Sequence, residues 1–152
     1  MNKETVEREA RELHCGGLHC AESVLAAVLK EAGAECGAAP RIATAFGGGV
    51  GRSHEEMCGA LAGGLMALGC LHGRSKPGVN WDEIAELAAE FRLRFRELHG
   101  STRCSDILHA LGPQTDMDQC KRLSGVTAGL LAAVLEEDGR ARETGRCSCQ
   151  GS

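Results

Sequence analysis

The stretch FGGGVGRSHEEMCGALAGG, Phe46 to Gly64, runs from a cluster of glycines through a charged patch to a cysteine seated among small residues. The uncharged run that follows, Met57 to Leu71, falls short of the ~20 residues a membrane span requires and reads as a buried core helix. Ser53 is a reasonable N-cap, with Glu56 three residues on in a capping-box pattern. A long helix is therefore expected from Ser53 to about Leu71, with Gly73 stopping it. Cys58 would then lie about one turn inside, where the positive end of the helix dipole favours thiolate, the form a metal ligand or a nucleophile needs. Gly59 and Gly63, four residues apart, share one helix face, where the lack of side chains admits another backbone or a bulky inorganic group. Plain helix packing is the blander reading of that pair.

Outward from this helix, apolar periodicity gives more helices and no convincing strand. Thr5 to His14 and Cys20 to Glu31 carry apolar residues at helical spacing; the second places Val24, Leu25, Val28 and Leu29 on one face, headed by Cys20. Gly16-Gly17 makes the turn between them. A short helix is expected from Arg41 to Phe46. Asn80 caps an amphipathic helix from Trp81 to His99, whose inward stripe is Ile84, Leu87, Ala88, Phe91, Phe95 and Leu98. A short helix carries Cys104, Ile107 and Leu108, and a last one runs from about Asp116 to Glu137. The expected architecture is all-α, a compact bundle of five or six helices in one domain over residues 1–138, with a polar, mobile tail over 139–152.

Composition supports a folded globular chain. Hydrophobic residues at 43% and charged residues at 25% are ordinary, and 152 residues suffice for a core without disulfide staples. A net charge of -4, with no Lys/Arg block, argues against nucleic acid as a partner. The charged N-terminus MNKETVEREARELHC has no apolar signal region, so a cytoplasmic chain is expected. Nine cysteines are many for that compartment, where thiols stay reduced, and they point to metal binding or redox chemistry. The glycine loop Gly47 to Arg52 is not a nucleotide loop: no Lys-Ser/Thr follows, Arg52 stands where the last glycine of GxGxxG belongs, and no strand precedes it. A tight loop around a thiol site is the better reading, with an anion near Arg52 as the other.

No CxxC or CxxCH occurs, which leaves no local zinc ribbon, thioredoxin motif or c-type haem attachment. Any site has to be assembled from separate helices. Cys20, Cys58, Cys104 and Cys120 each stand at or near a helix start, as four converging ligands would. Small buried hydrophobes would also account for them. Cys15, within HCGGLHC, is a candidate for an added metal ligand or a resolving thiol; Cys147 and Cys149 in the tail are candidates for binding metal or exchanging disulfides, with an exposed accessory pair as the blander reading. Cys36 and Cys70 read as packing residues. His54, Glu55 and Glu56 take surface or capping roles.

The order of HCAESVLAA, FGGGVGR, CGALAGGLMALG, Phe95 leading into GSTRCSDIL, and a late cysteine resembles the C_GCAxxG_C_C family of redox-active proteins, over roughly Glu9 to Leu135. The family's signature cysteines fall on Cys20, Cys58, Cys104 and Cys120, the four that helix-start placement selects. The family name writes Gly-Cys-Ala where this chain reads Cys58-Gly59-Ala60. The resemblance implies an all-helical fold and a redox or metal-cluster role. Split-Soret-type cytochromes resemble this family and also hold a non-haem iron centre. This chain lacks their haem attachment, so the iron part alone would carry over, and their dimeric state suggests a homodimer here.

Four thiolates suit an iron-sulfur cluster or a tetrahedral zinc by ligand count. The clearance at Gly59 and the amides at helix starts favour the cluster. The leading expectation is an iron-sulfur protein in electron transfer or redox sensing, with an unknown protein partner and no membrane insertion. A metal-free thiol-disulfide oxidoreductase working through Cys20 and Cys58 and a soft-metal (zinc) binding protein are the alternatives.

Overall fold

Helix α1, Lys3–Cys15, begins at Asn2, whose side chain accepts the Thr5 N–H at 2.9 Å, and hands the chain to the central helix α2, Cys20–Glu31. The computed structural model describes residues 1–139. Five more α-helices follow: α3, Ala39–Ala43; α4, Gly59–His72; α5, Asp82–His99; α6, Cys104–Leu111; and α7, Asp118–Asp138. A single 3-10 turn, Thr44–Phe46, extends α3. Among the described residues there are seven α-helices against the expected five or six; the short α3 and α6, each foreseen in the sequence, stand as elements beside the five longer ones. Among the described residues the extended pairing is one isolated antiparallel bridge, Met57 with Arg103.

Val24, Leu25, Val28 and Leu29 are at most 1% exposed, as their spacing predicts, and Ala21 and Ala27 are buried on the remaining faces. A helix buried along most of its length belongs inside, and α2, exposed only toward Lys30, packs against α1, α3, α4 and α7. The approach to α4 is backbone to backbone: a Cβ on Gly63 would overlap the Ala21 carbonyl. Gly125 does the same for α7, where a Cβ would stand 2.7 Å from the Glu7 carbonyl oxygen of α1. Phe91 and Phe95 of α5 are fully buried, each contributing about 2–3 kcal/mol by removal from water. Leu98, expected on the same stripe, is instead 56% exposed, near the end of α5 beyond the core. Asn80 accepts the Asp82 N–H at 2.8 Å, so it serves the first turn as expected, although the helix opens one residue later than read.

The long helix expected from Ser53 starts only at Gly59. Gly48, Gly49, Val50, Gly51 and Arg52 all take positive φ, between 59° and 66°, and His54 follows at 60°. A left-handed run cannot continue into a right-handed helix, and each non-glycine member costs about 1–2 kcal/mol. Glycine at three of the five positions keeps that cost down. Ser53 does not cap α4: its hydroxyl donates to the Gly49 carbonyl at 2.6 Å and accepts the Glu55 N–H at 3.2 Å. Glu56 does not close a capping box, since it lies before α4 starts; its backbone carbonyl accepts the Cys104 N–H at 2.9 Å. Cys58 is the N-cap residue of α4.

Helix α7 also begins later than Asp116, because Asp116 and Met117 are left-handed, with φ of 50° and 55°. It ends at Asp138 with left-handed Gly139 as its C-cap. The tail expected over 139–152, with Cys147 and Cys149, lies from residue 140 onward outside the described residues. No helix among the described residues is long and apolar enough to cross a membrane.

Candidate functional site

The four helix-start cysteines meet at one cavity. Cys20 opens α2, Cys58 precedes α4, Cys104 opens α6 and Cys120 lies in the first turn of α7. All four line a hollow of about 50 Å³, together with Gly48, His54, Gly59, Ile107, Leu108, Met117 and Leu123. One water-sized sphere takes roughly 10–15 Å³, so the hollow has room for a group of several heavy atoms. Cys20, Cys58 and Cys104 are buried, at 8%, 6% and 8% exposure, and Cys120 is half-buried.

Long-range backbone contacts hold these thiols in place. The Cys58 N–H donates to the Thr102 carbonyl at 2.8 Å and the Ser105 N–H to the His54 carbonyl at 2.8 Å. These bonds tie the segment before α4 to the segment before α6. The left-handed loop forms the wall between them: a Cβ on Gly49 would stand 2.6 Å from the Cys104 Cβ. Gly59 admits the Cys20 sulfur, which a Cβ there would overlap, and the Phe46 carbonyl is 3.0 Å from the same point. The Gly59/Gly63 face therefore serves both readings of the sequence: Gly63 is helix packing and Gly59 is clearance for a thiol.

The electrostatics reverse one expectation. Cys58 was expected to favour thiolate, and the Ala60 and Leu61 amides do donate toward its sulfur. Burial and the neighbouring Cys20 outweigh them, with Cys104 adding to the effect, and the thiol is pushed up to about 12. Burial, Cys20 and Cys120 push Cys104 up to about 11. Burial also raises Cys120, against a hydrogen bond from Gln114 that lowers it, with Cys20 raising it further. Uncompensated, these sulfurs keep their protons at neutral pH. A cation in their midst would displace them.

The HCGGLHC cluster does not act as a unit. Cys15 is exposed and outside the cavity. His14 is buried, with Nδ1 2.9 Å from the Ser124 hydroxyl of α7. His19 faces a second hollow of about 350 Å³, shared with Glu22, Thr44, Gly47, Gly51 and Arg52 across the glycine loop. Buried Glu22 accepts the His19 N–H at 2.7 Å and the Thr44 hydroxyl at 2.6 Å. Cys36, read as a packing residue, is buried and disulfide-bonded, whereas Cys70 lies half-buried on α4.

Three contributors escaped the sequence reading: His54, Met117 and Gln114. His54 is exposed as expected yet lines the cavity, because its left-handed backbone folds the loop over the thiols. Spacing gives no cue to any of them; a histidine four residues before the central cysteine was the one available hint.

Four soft donors, apolar walls and glycine clearance fit a sulfur-ligated metal group. Among the described residues no group of three or more His, Cys, Asp or Glu side chains is arranged to hold a metal ion; the thiols are spread around a hollow. No curated protein and no solved structure matches the chain. Residues 18–134 match the family described as "Putative redox-active protein (C_GCAxxG_C_C)", a span that includes all four cavity cysteines. The chain belongs to the C_GCAxxG_C_C family of redox-active proteins.

Proposed function

We propose that this protein binds an iron-sulfur cluster through Cys20, Cys58, Cys104 and Cys120 and serves in electron transfer or redox sensing. The observation that carries the reading is the convergence of four cysteines from four separate helices on one small, mostly apolar hollow. A cluster bound there supplies one-electron chemistry with little rearrangement of its surroundings. The chain's own part is to fix the sulfurs, exclude water and aim amides at them. The Ala60 and Leu61 N–H groups at Cys58 do the last, and such bonds tune a centre's potential.

Two features favour the cluster over its rivals. A tetrahedral zinc site draws its ligands in to about 2.3 Å from one point, whereas these thiols surround a space. A dithiol enzyme needs an accessible thiolate near ambient pH. Burial pushes the Cys58 thiol up to about 12, away from that range. Cytoplasmic operation and a homodimeric state belong to the same proposal.

Anaerobic purification or reconstitution of the full chain, with iron, labile sulfide and zinc analysis and a visible spectrum, is the test. Iron and sulfide in comparable amounts with a brown chromophore are expected. A colourless chain with one zinc would replace the reading by a zinc site. A metal-free chain that cycles disulfides among the four cysteines would replace it by thiol chemistry.

A further inference from the structure

The four cavity cysteines are not held alike. Cys58 takes hydrogen bonds on its sulfur from backbone amides and gives its own N–H to the Thr102 carbonyl. Cys104 gives its N–H to the Glu56 carbonyl and has its Cβ against Gly49. The Cys20 sulfur is seated against Gly59. In each case the contacts come from backbone, which no side-chain motion can withdraw.

Cys120 is held by a side chain. Its N–H is one of the first-turn donors of α7 that lack a partner within the helix, and it donates to Gln114 Oε1 at 3.0 Å. Gln114 Nε2 donates in turn to the Cys120 sulfur at 3.2 Å. The amide's orientation follows from this pair, because a backbone N–H can meet only the oxygen, which leaves the NH₂ end facing the sulfur. Gln114 reaches Cys120 across Asp116 and Met117, the two left-handed residues that turn the chain into α7. Met117 is 39% exposed and lines the cavity, so this turn forms its outer edge.

We propose that Gln114 is the positioning residue of Cys120: it locks the sulfur toward the cavity and donates a hydrogen bond to it, making Cys120 the one site cysteine whose electronic state a single side chain sets. The inference rests on Cys120 belonging to the site but not on what fills it. A donor to sulfur stabilises the more negative state, which is the thiolate in the metal-free chain and the reduced form of a bound centre.

Two variants separate the roles. Gln114→Met removes both hydrogen bonds without adding charge; Gln114→Glu keeps an acceptor for the Cys120 N–H and loses the donor. The readout is the pH profile of iodoacetamide alkylation of Cys120 in the reduced, metal-free full chain, resolved by mass spectrometry, with Cys104 in the same molecule as reference. In both variants the Cys120 midpoint should move to higher pH and the Cys104 midpoint should stay, so that the Cys120 rate at pH 8 falls several-fold. An unmoved Cys120 midpoint in Gln114→Met overturns the proposal, and so does a shift in Gln114→Glu alone, which would be a charge effect. If Gln114→Met fails to fold, Gln114→Glu is read against Gln114→His, whose ring can donate without a fixed negative charge; equal shifts in the two then overturn it. In a chain loaded with iron and sulfide, Gln114→Met should also lower the reduced-to-oxidised ratio at a fixed poise several-fold. A wild-type chain that takes up no iron would end the iron-sulfur reading while leaving the alkylation result standing.

Discussion

Two short cysteine-bearing segments of this chain look alike in sequence and behave oppositely in space. HCGGLHC packs two histidines and two cysteines into seven residues, yet it delivers them to different places: His14 into the α1–α7 contact, Cys15 to solvent, His19 to one side of the glycine loop and Cys20 to the thiol cavity. FGGGVGRSHEEMC carries one cysteine, but its left-handed turns bring Gly48, His54 and Cys58 to one cavity and set Gly49 against Cys104. Proximity along a chain does not make a site. A backbone that folds back on itself, with distant segments hydrogen-bonded to it, does.

The sharpest way to break that comparison is to remove one sulfur from each segment. Cys58→Ser should abolish bound iron and sulfide, whereas Cys15→Ser should retain them in full. Iron per chain after anaerobic reconstitution checks both, and full occupancy in Cys58→Ser would remove Cys58 from the site.

The same contrast should appear without any cofactor. In the native reduced chain at pH 8, Cys15 should be alkylated at least a hundredfold faster than Cys58, which is 6% exposed and whose thiol lies near 12. Time-resolved mass spectrometry measures both rates in one sample. The linkage has a definite sign: because the folded-state values of Cys58 and Cys104, about 12 and about 11, lie above the ordinary 9.0, their protonated form stabilises the fold. That stability is present below pH 9 and is lost as pH rises toward 11–12.

The backbone side of the comparison is tested at Gly49. Gly49→Ala puts a methyl 2.6 Å from the Cys104 Cβ at a position with φ of 66°, combining overpacking with left-handed strain. A loss of about 2–4 kcal/mol in urea unfolding is expected. Gly17→Ala is the control: its φ of 112° is strained too, but nothing lies within 4 Å of its Cβ. Equal losses at the two positions would show that strain alone, and not the seating of Cys104, makes Gly49 matter.

How far each region was legible follows from the range of the forces that shape it. Helix α2 was legible because Val24, Leu25, Val28 and Leu29 recur at helical spacing on one face, and α5 because its stripe repeats every turn. The convergence of Cys20, Cys58, Cys104 and Cys120 was legible through their common place at helix starts. The start of α4 was not. Ser53 and Glu56 have capping-box spacing, and only the left-handed run before them and the Met57–Arg103 bridge, which pairs residues far apart in sequence, divert them. Gln114 and Met117 were invisible for a related reason: their positions depend on a turn whose left-handed residues, Asp116 and Met117, are not glycines. Cys36 gave no local sign of its disulfide.

The smallest expected effect concerns the histidine that HCGGLHC sends inward. His14 is 4% exposed, its Nδ1 meets Ser124, and its Nε2 has no partner among the described residues. Burial, the neighbouring His19 and Lys121 lower it from 6.5 to about 4, with Glu22 opposing. The folded state thus holds the ring neutral where the unfolded chain would protonate it. Stability from this group is complete above pH 6.5 and drains as pH falls toward 4, by about 2 kcal/mol once solvent screening reduces the full linkage value. Urea unfolding of the metal-free chain from pH 7 to pH 4.5 should show that decline. His14→Asn, which keeps a polar group near the Nδ1 position, should begin lower at pH 7 and follow a flatter slope. Parallel slopes would mean that His14 is not the group that titrates. A flatter one would assign the decline to His14, buried in the same α1–α7 contact as Gly125.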